Sequence, residues 1–189
     1  IAYDTAKLGD WRTFADQAGR PSAFSRSGPG IWNVIKPEVV EYGGDAVRTD
    51  NEPPDIQTGG VVPAACPTLV RSTLHGPGPA VDRDTVGTSF AAPKVARIAA
   101  QIQRVLPAEP ALLYRALVVQ SAQWPEWAEN LLSRLRNPPP EITPVEKQAL
   151  LSATSNAFRC LGFGVPDEER ATTNTDHRTT LITSGELEI

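Results

Sequence analysis

One stretch of the chain has the residue types and spacing for chemistry: Thr85-Val86-Gly87-Thr88-Ser89-Phe90-Ala91-Ala92-Pro93-Lys94-Val95-Ala96. A turn of small residues delivers a serine to the start of an amphipathic helix. There the unpaired backbone N–H groups and the positive end of the helix dipole face whatever Ser89 attacks. Gly87 allows the tight bend, Thr88 precedes the hydroxyl, and Ala91 and Ala92 keep bulk away from it. Pro93 is expected to lie early enough in the helix for its missing N–H to matter little. An acyl-transfer nucleophile needs this arrangement, with the Ser89 N–H as an oxyanion donor. An ordinary serine helix cap is the alternative for an isolated Gly-Thr-Ser.

The elements that would position Ser89 are read from periodicity. After Ser89, apolar residues recur at Ala92, Val95, Ala99, Ile102 and Leu106, which predicts a helix with one buried face, ended by Pro107. A second helix is expected from Pro110 to Ala122. Beyond the break at Trp124-Pro125, a shorter amphipathic piece covers Ala128 to Arg136 and stops at Pro138-Pro139-Pro140. Thr143-Pro144-Val145-Glu146 reads as a helix start with a capping box, and a short charged helix is expected from Asp167 to Ala171. Ala23-Phe24-Ser25, Val39-Val40, Leu69 to Leu74 and Thr179 to Thr183 read as short strands, Val39-Val40 as a buried parallel one stopped by Gly43-Gly44. Strand-like runs ahead of two long helices make the class α/β. No internal repeat is present.

Composition narrows the function classes. The 189 residues carry 18 Lys plus Arg against 22 Asp plus Glu, a net charge of −4, which excludes a charge-driven nucleic-acid or membrane-surface binder. No run approaches the ~18 apolar residues that cross a bilayer. With only two histidines, His75 and His177, a His-rich metal cage is excluded. Cys66 and Cys160 read as isolated thiols, and Trp124 and Trp127, three apart, as packing residues. The first residues, Ile1-Ala2-Tyr3-Asp4-Thr5, carry neither the basic n-region nor the apolar h-region of a signal peptide. The chain has no Met and begins at Ile1, so the expectation is either a removed leader or a piece of a longer protein.

Gly87 to Pro93, followed by Lys94-Val95-Ala96, resembles the nucleophile motif of the subtilisin-like serine peptidases, the subtilases. Ser22 to Pro29 resembles the strand and turn that the family carries ahead of its nucleophile. Lys36-Pro37-Glu38-Val39-Val40-Glu41-Tyr42-Gly43 is similar to its K-P-D-[IV]-x-A-P-G strand, with Glu38 for the usual Asp and Tyr42 for the usual Pro. Leu161-Gly162-Phe163-Gly164-Val165-Pro166 resembles the Gly-aromatic-Gly element that closes the domain. The resemblance covers residues 1–171, with a departure over about 124–159; residues 172–189 read as a tail or the start of a following region.

The resemblance implies a parallel sheet flanked by helices, incomplete at the N-terminus, and an endopeptidase that forms an acyl-enzyme on Ser89, supported by Gly87 and Thr88. The loop from Arg83 to Thr88 would border the leaving-group side of the cleft; no substrate-binding residue and no metal ligand is assigned. The family's Asp, His and oxyanion Asn belong upstream and match nothing here. Neither His75 nor His177 opens a helix as the family's His does, and Asp82 and Asp84 read as loop acids. Aligned this way, Ile1 to Asp4 end a strand beyond those residues. The expectation is therefore a truncated catalytic domain, inactive alone, whose partners are a polypeptide substrate and its own N-terminal segment. A non-catalytic binding or structural module on the same fold is the competing expectation, and one fragment of a nicked enzyme a third. No cofactor is required. Calcium enters by family analogy alone, since the acids Asp45, Asp50, Glu52 and Asp55 lack an EF-hand spacing and read as a solvated loop.

Overall fold

A computed structural model of the chain describes residues 11–15, 17–51, 53, 56–57, 69–70, 77–78 and 84–173. Its elements are β1 (Trp11–Thr13), β2 (Val47–Thr49), β3 (Ile56–Gln57), α1 (Thr88–Val105), α2 (Ala111–Ser121), α3 (Glu126–Arg136), α4 (Pro144–Leu161) and α5 (Glu168–Thr172). No helix among the described residues is long and apolar enough to cross a membrane.

The helices form where the sequence pattern places them, because each has an apolar stripe to bury. Ile98 and Ile102 of α1 meet Leu117 and Val118 of α2 in one buried cluster, flanked by Val95, Ala99 and Leu113. The Tyr114 hydroxyl donates to the Leu106 carbonyl at 2.6 Å and so satisfies an orphan acceptor at the end of α1. Helix α3 starts at Glu126, two residues ahead of the expected Ala128, with Pro125 as its N-cap residue. The capping box ahead of α4 is present: the Glu146 N–H donates to Thr143 Oγ1 at 3.2 Å, and the Thr143 N–H donates to Glu146 Oε2 at 2.8 Å. The Glu146 carboxylate accepts from the Thr143 N–H and also from the Thr143 hydroxyl at 2.8 Å, and these two bonds hold it below its ordinary pKa. Helices α3 and α4 pack around Ala128, Ala157 and Leu161, with Trp124, Trp127 and Leu131 beside them. Both indoles are anchored, Trp124 Nε1 donating to the Gly162 carbonyl at 2.8 Å and Trp127 Nε1 to the Gly19 carbonyl at 3.1 Å.

Between the two helix pairs runs the segment 38–43. Val39 packs into the α1/α2 cluster and Val40 into the α3/α4 cluster, the alternation of a strand packed on both faces. One edge is held by the Gly-aromatic-Gly element: the Phe163 N–H donates to the Glu38 carbonyl at 2.7 Å, and the Val40 N–H to the Gly164 carbonyl at 2.9 Å. That element in turn bridges antiparallel to the link between α2 and α3, through Val165 and Gln123. Val39-Val40 is therefore not the expected buried parallel strand: both valines are half-buried and the segment forms no regular ladder.

The sheet differs from expectation. The three described strands pair antiparallel in the order β1-β2-β3, with Arg12 opposite Arg48 and Val47 opposite both Thr13 and Gln57. The like charges at Arg12 and Arg48 are offset by Asp50, 2.6 Å from Arg12. Among the described residues there is no parallel sheet. Ala23-Phe24-Ser25 is a turn rather than a strand: the Ser25 N–H closes onto the Ser22 carbonyl at 2.9 Å and the Ala23 N–H donates to the Asp45 carboxylate at 3.0 Å, so its backbone is committed locally. Of the expected strand from Leu69 to Leu74, Val70 forms a single antiparallel bridge with Thr85, and residues 71–74 lie outside the described residues, as does Thr179 to Thr183.

Glu38, standing where the resembling motif has Asp, clamps the central segment to α2. Arg115 grips its carboxylate with a two-pronged fork, Nε at 2.9 Å from Oε2 and Nη2 on Oε1, while Lys36 Nζ donates from 2.8 Å. The Arg115 hydrogen bonds, and then that from Lys36, lower the Glu38 pKa from 4.5 to about 2. A carboxylate whose pKa falls on folding stabilises the fold fully above its unfolded value and loses that contribution as pH falls through the folded one. The stability difference between the wild-type chain and Arg115→Ala is therefore expected to be present at neutral pH and to close between pH 4.5 and 2. Urea titrations across that window check it, and a difference that persists unchanged at the acid end contradicts the assignment.

Candidate active site

Ser89 is the second residue of α1 and is exposed, as is Thr88 before it. No side chain caps this helix start, and among the described residues the Ser89 hydroxyl has no hydrogen-bond partner. Gly87, the N-cap residue, has φ 156° and ψ 160°, a region open essentially to glycine alone. Its carbonyl accepts from the Phe90 N–H at 3.1 Å, and its own N–H donates to the Gly43 carbonyl at 2.9 Å. The Ser89 turn is thus pinned to the end of the central segment by one backbone hydrogen bond. Upstream, Val70 and Thr85 exchange backbone hydrogen bonds of 2.7 and 3.0 Å that hold the approach to the turn.

Space is tight at that junction. Gly43 is buried, and a Cβ there would stand 2.5 Å from the Gly87 carbonyl oxygen. Sequence reasoning took Gly43-Gly44 as a strand stop; the paired glycines were the available signal for this approach of two backbones. Pro93 also differs from expectation. It is the sixth residue of α1, past the first turn, so its missing N–H leaves the Ser89 carbonyl without the usual i+4 donor.

A cavity of about 490 Å³ opens beside this turn, reaching from Thr88, Ala91 and Ala92 to Val39, Val40 and Glu41. Burial raises the Glu41 carboxyl above its ordinary pKa, against the Tyr42 N–H that it accepts at 2.7 Å. Burial also pushes the Tyr42 hydroxyl up, with the Glu41 charge adding to it, and pushes the Lys94 ammonium down. Lys94 Nζ stands 6.0 Å from the centre of the Tyr42 ring, which ties the second turn of α1 to the same segment.

The structure does not bring other expected groups to Ser89. His75, His177, Asp82 and Cys66 lie outside the described residues, and Cys160 is a half-buried free thiol on α4. Asp84 is a loop acid, as expected, and is buried at 4% exposure. Asp45 is the larger departure. It is fully buried, and its carboxylate accepts from Thr13 Oγ1 at 2.6 Å and from the N–H groups of Ala15 and Ala23 at 2.7 and 3.0 Å. Three internal donors replace its water. Asp50 is paired with Arg12, and Glu52 and Asp55 lie outside the described residues.

Ser89 thus stands at an uncapped helix start, on a turn joined to Gly43 through the Gly87 N–H. The subtilase family model, Peptidase_S8, matches residues 2–174. The chain belongs to the subtilase family. Among curated proteins, the uncharacterized protein y4bN of Sinorhizobium fredii (strain NBRC 101917 / NGR234) is 33% identical over 177 residues, which cover 90% of this chain and 35% of that protein. The chain thus spans about a third of the length of this relative. No solved structure matches it.

Within this subtilase chain, the Gly43–Gly87 junction is expected to be intolerant of a single methyl group. Gly43→Ala should destabilise the chain by about 1–3 kcal/mol, the range for overpacking, and should perturb the backbone resonances of Gly87, Thr88 and Ser89 first. Chemical denaturation with amide NMR tests this; wild-type stability and unmoved resonances would refute the contact.

Proposed function

We propose that this chain is the nucleophile-bearing part of a subtilisin-like serine endopeptidase. Ser89 attacks the scissile carbonyl and becomes the acyl-enzyme, and the Ser89 N–H donates to the oxyanion that forms. Gly87 and Thr88 set the turn that presents both groups. The observation carrying this reading is the exposed Ser89 hydroxyl on the uncapped first turn of α1, within a chain matched by the subtilase family model.

The base that takes the Ser89 proton, the acid that orients it and the side-chain oxyanion donor are assigned to a segment beyond this sequence. Without an imidazole the hydroxyl keeps its proton at neutral pH and attacks slowly. In subtilisin itself, loss of the serine or the histidine lowers kcat about 10⁶-fold, and a comparable loss is proposed for the chain alone. The same segment would complete the parallel sheet. Val39 and Val40 are packed on both faces as a central strand is, and the Gly-aromatic-Gly element takes one edge of the segment while the cavity beside Val39 and Glu41 leaves room along the other. The substrate is a polypeptide.

A fluorophosphonate probe tests the reading. The isolated chain is expected to label negligibly. The longer protein carrying an upstream segment should label quickly at Ser89, and Ser89→Ala should abolish the adduct in intact-mass spectra. Rapid labelling of the isolated chain would sink its proposed inactivity. A longer protein that stays unlabelled at Ser89 would favour the non-catalytic module instead.

A further inference from the structure

A second cleft, of about 380 Å³, lies at the base of the α3–α4 hairpin, in the stretch that departs from the family pattern. Its walls are apolar or small, from Trp127 and Leu131 of α3 and Ala153 and Ala157 of α4, with the Asn156 amide on the same helix face. The loop residue Arg20 closes one side. Its guanidinium carbon sits 4.2 Å from the centre of the Trp127 ring, a stacked cation–π contact, and Trp127 is itself fixed by its hydrogen bond to the Gly19 carbonyl. Among the described residues this guanidinium has no ion-pair partner, and its Nε is buried without an acceptor.

The guanidinium is a fixed cation lining an otherwise apolar cleft. The group that pairs best with it is a carboxylate, whose planar pair of oxygens matches the N–H fork of an arginine. The volume falls in the range of small-molecule sites, roughly 300–1,000 Å³, and the apolar walls call for an apolar body behind the charge. We infer that this cleft binds a monocarboxylate with a short apolar body, its charge on Arg20 and its body between Trp127, Leu131, Ala153 and Ala157. Two sources carry that chemistry: a free organic acid, or the C-terminal residue of a peptide.

Isothermal titration calorimetry on the 189-residue chain tests this with hexanoate and phenylacetate, their neutral amides, and N-acetyl-alanyl-leucine as free acid and as C-terminal amide. At least one acid should bind saturably, and its amide at least about tenfold more weakly. Saturation by the organic acids alone identifies a free acid as the ligand, and saturation by the peptide acid identifies a chain end. Arg20→Met should abolish binding. Ala153→Leu, which narrows the cleft and keeps Arg20, should weaken it about tenfold, and thermal melts report whether each variant is folded. Equal affinity for acids and amides, unchanged affinity in folded Arg20→Met or Ala153→Leu, or no saturable binding by any acid would overturn the assignment. The readout is binding alone, so it is separate from any outcome at Ser89.

Discussion

A single backbone hydrogen bond, from the Gly87 N–H to the Gly43 carbonyl at 2.9 Å, joins the two parts of this structure on which the serine depends. On one side is the start of α1, whose dipole and uncapped N–H groups only matter if the turn is held in place. On the other is the segment 38–43, half-buried between two helix pairs and ending in the buried Gly43. The hydrogen bond is possible because neither glycine has a Cβ to hold the backbones apart. Lys94, with its Nζ 6.0 Å from the centre of the Tyr42 ring, adds a second attachment two turns along α1.

The central segment is held in turn by three independent means. Val39 and Val40 bury to opposite faces, the Gly-aromatic-Gly element bonds one edge, and Glu38 is clamped by Arg115 and Lys36. Glu38 adds a methylene to the Asp of the resembling motif, and the longer side chain still makes a two-pronged contact with α2. The α3–α4 hairpin then covers the Val40 face with Ala128, Ala157 and Leu161. The hairpin thus contributes core to the segment that positions the serine. A fully buried Asp45, satisfied by three donors, ties β1 and the 22–25 turn to the residues that follow Gly44.

What was legible in the sequence was whatever repeats along it. The stripe through Val95, Ile102 and Leu106, the capping box at Thr143 and Glu146 and the proline stops located the helices to within a residue or two. The motif from Gly87 to Pro93 located the serine and the family. Three-residue strands such as β1 and β2 are too short to show a period, and their pairing is a fact about partners far along the chain. The burial of Asp45 was equally hidden, because its donors at Thr13, Ala15 and Ala23 are scattered and two are backbone groups with no sequence signature. Arg20 on Trp127 joins residues more than a hundred positions apart, which no local spacing could reveal. Conversely, the turn at Ala23 to Ser25 carried β-capable residues, but a strand needs a neighbour, and here the local hydrogen bonds prevailed.

The claim that one central segment holds the Ser89 turn is most directly tested by native-state amide hydrogen exchange. The Val40, Phe163 and Gly87 N–H groups, whose acceptors lie on the segment or on the element that holds it, are expected to exchange together, with free energies close to that of global unfolding. Exchange of the Gly87 N–H as fast as that of an exposed loop, while Val40 and Phe163 remain protected, would show that the turn opens independently and would contradict the account.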